Sequence, residues 1–154
     1  MNRTNDLRNW GTALLRIGVG GIFVAHGAQK LFAYGIPGVA GLMGQIGVPF
    51  PTLSAIAVTA AEFLGGLALV AGFGTRLAAL PIAFSMLVAA LTVHLKGGFF
   101  LPNGVEYVLA LFLASVSLAL TGSGAWSVDR LLERRREPVT EKSDRPLAAP
   151  VQVR

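Results

Sequence analysis

Five ionisable side chains and one amide interrupt an otherwise apolar chain: His26, Gln29, Lys30, Glu62, His94 and Glu106. Imidazole, ammonium and carboxylate groups hydrogen-bond carbonyl oxygens and give or take protons. Inside a bilayer such a group costs about 2.5–3.5 kcal/mol on insertion scales, so it faces protein or a water-filled cavity. Two readings of Glu62 stand side by side. It is a structural ion-pair partner of Lys30, Arg16 or a protonated histidine, or it exchanges a proton with a bound molecule. Glu62 and His26 are the candidate catalytic groups; Gln29, Lys30, His94 and Glu106 are the candidate substrate contacts.

Other chemistries fit these residues less well. Two histidines on separate helices are reminiscent of axial haem ligands, but their depths differ by several ångströms. A divalent ion held by His26, Glu62 and His94 lacks any tight ligand spacing, so no metal site is assigned. His94 reads as an interfacial hydrogen-bonder. Arg16 reads as snorkelling to headgroups or bonding backbone carbonyls rather than pairing with Glu62. Thr59, Ser115, Ser117 and Thr121 are expected to bond their own helices. The absence of cysteine excludes disulfides, thiol relays and thiolate metal sites.

The elements that must position these groups are apolar helices. Four blocks of about 18–21 residues match the length needed to cross a bilayer, near 12–32, 53–73, 77–95 and 104–121. At about 100° per residue, Arg16, Gly20, Phe23, Gly27 and Lys30 fall on one stripe, with His26 about 80° to one side. The glycines on that stripe let another helix approach closely, as Gly65 and Gly66 do on the second block. Counted along the helices, His26 lies about 9 Å and Glu62 about 13 Å from one end of the bundle, with His94 and Glu106 at that same end. The expectation is one chamber in that half of the bundle. Between the first two blocks, Val39, Leu42, Met43 and Ile46 recur at helical spacing, predicting a short surface half-helix ended by Pro49 and Pro51.

Only 14% of the 154 residues are charged and the mean hydropathy is +0.63, against about 25% charged in soluble domains. The fold class is therefore all-α: an integral membrane four-helix bundle in a single domain. Residues 1–11 form a polar leader, 125–136 a basic amphipathic helix capped by Ser127, and 137–154 a disordered tail. No secretory signal is expected, because the first apolar block carries polar residues throughout. The net charge of +5 points to lipid and not to nucleic acid, since it is concentrated beyond the last apolar block. Lys and Arg in the leader, at Arg76 and in the tail place both termini in the cytoplasm.

The runs LLRIGVGGIFVAHGAQKLF, EFLGGLALVAGFGTRLAAL and EYVLALFLASVSLALTGSGAWSVDRLL resemble the DoxX family of small four-helix membrane proteins. The resemblance covers about residues 14–132. Its most specific pieces are His26-Gly27 with Lys30-Leu31, Glu62 with Gly65-Gly66, Thr75-Arg76, and Ser127-Val128-Asp129. It implies a bacterial inner-membrane protein with four spans, associated with redox work that includes a membrane subunit of a thiosulfate:quinone oxidoreductase. Arg16, Gly65, Gly66 and Arg76 are given structural roles. The leading expectation is a quinone-linked subunit that draws electrons from a soluble or membrane redox partner. The alternative is a non-catalytic scaffold or small-solute carrier, which with four spans would work as a homo-oligomer.

Overall fold

A computed structural model describes residues 3–124 and 126–136; the expected disordered tail, 137–154, lies outside the described residues. The described residues form six α-helices and no strand. These are α1 (Arg3–Ala28), α2 (Gly35–Gln45), α3 (Pro51–Ala71), α4 (Thr75–Ala89), α5 (Glu106–Thr121) and α6 (Val128–Arg136). Two wider π-helical segments, Gln29–Tyr34 and Ala90–His94, extend α1 and α4. Three helical stretches are long and apolar enough to cross a membrane: 7–45, 51–71 and 75–97. The fourth, α5, has 16 residues, about 24 Å of helix.

The expected stripe is the buried face of α1. Arg16, Val19, Gly20, Phe23 and Gly27 are all buried, and they meet α3 in antiparallel order. A Cβ on Gly20 would stand 2.9 Å from the Gly66 carbonyl, one on Gly66 would stand 2.7 Å from the Val24 nitrogen, and one on Gly27 2.5 Å from the Phe63 nitrogen. Missing side chains here let two backbones touch, which in lipid replaces the hydrophobic drive available in water. On its other side, α3 meets α4 through Gly65, whose Cβ would stand 3.0 Å from Ile82. Helices α4 and α5 pack on each other, and α1 meets α5 to close the ring. Val19, Phe23, Leu69, Ile82, Met86, Val108, Leu111 and Leu118 fill its middle.

Several boundaries differ from expectation. The polar leader is not a separate segment, because α1 already begins at Arg3. The half-helix exists as α2 and packs against α3, with Val39 buried, but prolines do not end it. Gly47, at φ +77°, turns the chain; its N–H donates to Gly44 and the Val48 N–H to Met43, a glycine-dependent helix stop. Pro51 instead opens α3, where its missing N–H is no loss. Pro81 lies inside α4.

Candidate functional site

Lys30 and Glu62 come together. Lys30 extends from the π-helical segment after α1, and its Nζ donates to Glu62 Oε2 on α3. The glycine contacts draw the two backbones close enough for these side chains to meet. Their exposures differ: the Glu62 side chain is 3% exposed and that of Lys30 22%. The carboxylate is sealed inside the helix interface, while the ammonium reaches its edge. At that edge lies a cavity of about 580 Å³ lined by Lys30, Ala33, Tyr34, Val39, Leu42 and Met43, with Gly38. The apolar face of α2 is thus one wall of a cleft into which Lys30 brings a charge. On α3, three residues before Glu62, the buried Thr59 hydroxyl has no hydrogen-bond partner, against the expectation that it bonds its own helix. Ser115 and Thr121 do bond theirs, to Leu111 and Ser117.

The single chamber expected from depth alone divides in three. His26 is exposed on α1, outside the ion pair and the cleft lining, and Gln29 is exposed one turn further on. Both lie on the outer side of the helix. His94 and Glu106 hold the α4–α5 loop: His94 Nδ1 lies 3.3 Å from the Asn103 carbonyl, and Glu106 Oε1 accepts the Leu101 N–H at 2.8 Å. Among the described residues, no three histidine, aspartate or glutamate side chains converge as metal ligands would.

Arg16 lies towards the opposite end of the pair α1–α3. It is 2% exposed, so it does not snorkel. Its Nη1 donates to the Leu69 and Val70 carbonyls at 2.9 and 3.2 Å, and its Nη2 to the Trp126 carbonyl at 2.5 Å. The guanidinium therefore caps the end of α3 and ties it to the linker before α6. Arg76 is exposed beside Gly122. Ser127 caps α6 as expected, accepting the Arg130 N–H at 3.3 Å.

Tyr34, which lines the cleft from the widened segment Gln29–Tyr34, was not singled out by sequence, and Met43 was read only as part of the half-helix.

Comparison with known proteins adds the following. The DoxX family model matches residues 11–95. The chain is 35% identical to "Putative oxidoreductase CatD" of Bacillus subtilis, over 84% of this chain and 90% of that one. It is 33% identical to "Inner membrane protein YqjF" of Escherichia coli, over 84% and 97%. An uncharacterized membrane protein of Mycobacterium tuberculosis is 30% identical, over 79% and 80%. No solved structure matches at comparable significance.

Proposed function

The chain belongs to the DoxX family of membrane proteins, and from that premise we propose that it is a quinone-binding membrane subunit of an oxidoreductase, with Lys30 as the ligand-facing group. In this reading it sits in the bacterial inner membrane with four spans and both termini in the cytoplasm. The observation that carries the proposal is a cation presented to an apolar cleft by a carboxylate that is itself buried.

A quinone head needs a hydrogen-bond donor at its carbonyl oxygen, an apolar pocket for its ring and tail, and protons as it is reduced. The residues present fit that group. Lys30 supplies the donor, Val39, Leu42 and Met43 supply apolar wall, and Glu62 holds the Lys30 side chain in place. Reduction of a quinone to a quinol takes two electrons and two protons. A redox partner supplies the electrons and water at the open edge of the cleft supplies both protons, and the part of this chain is to hold the head by a hydrogen bond from Lys30. The printed name of the Bacillus subtilis relative, an oxidoreductase, supports the class of reaction.

The test separates structure from function. Replacing both partners of a buried ion pair by apolar residues is often neutral for stability, whereas removing one is not. The Lys30→Met/Glu62→Met double variant should therefore fold, yet lose the thermal stabilisation that a short-tailed ubiquinone or menaquinone analogue gives the parent in detergent. An analogue that stabilises the double variant equally, or neither protein, overturns the proposal and leaves the scaffold or solute-carrier reading.

A further inference from the structure

We propose that α6, with the turn to which it is fastened, is a docking surface for the anionic headgroup layer of the bilayer. The fastening uses the acidic side of the helix. The Asp129 N–H donates to the Gly72 carbonyl at 3.1 Å, and the Gly74 N–H donates to Asp129 Oδ1 at 2.8 Å. Arg16 holds the carbonyl of Trp126, two residues before the helix. With Asp129 turned onto the α3–α4 turn, the outward side of α6 is dominated by cations. Arg130, Arg134 and Arg135 are exposed, as is Arg76, which with Arg130 lines a cavity of about 750 Å³ between the start of α4 and α6. Glu133 offsets one of these four charges.

Two observations favour lipid over a protein partner. First, Leu131 is 61% exposed among those arginines, giving the apolar-plus-cationic surface of a helix lying in a membrane interface. Second, the depth of α6 is marked. Trp10 and Trp126, both exposed, pair at 5.2 Å between ring centroids, and tryptophan collects at headgroup level. Helix α6 begins two residues after Trp126, so its first turn lies at that level. There Leu131 meets the acyl boundary while arginines reach lipid phosphates. The inference does not depend on what occupies the Lys30 cleft.

The chain has no cysteine, so Leu131→Cys gives the full-length protein a single nitroxide attachment point. The label is read in nanodiscs of phosphatidylcholine and in nanodiscs doped with phosphatidylglycerol. With phosphatidylglycerol it should become less mobile, shielded from a water-soluble relaxant and accessible to oxygen. High salt should reverse this, and so should Arg130→Gln, Arg134→Gln and Arg135→Gln together. A label that behaves alike in both lipids overturns the proposal, as does a phosphatidylglycerol response that survives salt. Salt is tested on the L131C protein itself, so the conclusion stands even if the triple variant fails to fold. Immobilisation that requires an added soluble protein, and not phosphatidylglycerol, assigns the face to a protein partner and overturns it equally.

Discussion

Lys30 and Glu62 are opposite charges shut between two helices that touch at their glycines, and that placement fixes how each responds to change. Removing Lys30 leaves the Glu62 carboxylate buried and unpaired, at about 3–5 kcal/mol, and removing Glu62 strands a half-buried ammonium. Glu62→Met or Lys30→Met alone should lower the thermal midpoint in detergent strongly, while the double variant recovers most of the loss. Arg16 is the stricter case, because its guanidinium serves three carbonyls. In Arg16→Met the Val70 and Trp126 carbonyls lose this donor, at about 1–3 kcal/mol per unsatisfied group, while Leu69 keeps the Gly72 N–H. That variant should fail to accumulate as folded protein, whereas His26→Ala, at an exposed site, should accumulate like the parent. Sequence placed His26 with Glu62 because depth along a helix can be counted from residue numbers. Which way a side chain points relative to a neighbouring helix cannot be, and His26 sits on the outward side.

At the scale of elements, the glycines divide into two kinds. A Cβ on Gly27 meets the Phe63 backbone at 2.5–2.6 Å, while one on Gly18 or Gly21 meets nothing within 4 Å. Gly27→Ala forces α1 and α3 apart and should cost at least the roughly 1–3 kcal/mol of an overpacked core, with the Lys30–Glu62 pair weakened as a consequence. Gly18→Ala should be neutral or stabilising, by up to about 1 kcal/mol, since it only removes flexibility from a helix. Thermal unfolding of the two variants checks both. The buried stripe of α1 was legible as a period of apolar and small residues. The widening of the helix at Gln29–Tyr34 was not, because a π-helical turn carries no distinctive residue pattern; Lys30 and Tyr34, which both line the cleft, lie in that segment.

For the whole molecule, the proposed orientation predicts opposite labelling at the two ends of the bundle. Phe100→Cys, in the exposed α4–α5 loop, should react with a membrane-impermeant maleimide in intact spheroplasts. Glu133→Cys, exposed on α6 and about 160° around the helix from Leu131, should react only after permeabilisation. The reverse result would invert the proposed topology and place the Lys30 cleft in the cytoplasmic half. The antiparallel pairing of α1 with α3 puts Arg16 and the Lys30–Glu62 pair towards opposite ends of the same seam. One end is therefore a backbone clamp that steadies α6, and the other holds the Lys30–Glu62 pair, where the ligand is proposed to bind.

Hydropathy, the spacing of glycines along α1 and α3, and the scarcity of charge were enough to determine a helical membrane bundle with polar residues on an inner face. Those properties are local and periodic, so they are written in the order of residues. The tertiary structure decided which polar groups meet. It joined Lys30 to Glu62, committed His94 and Glu106 to their own loop, turned His26 outward, and set α2 as a wall of the cleft that Lys30 also lines. These outcomes depend on the rotation of one helix against another, a quantity set by the packing of side chains far apart in the chain.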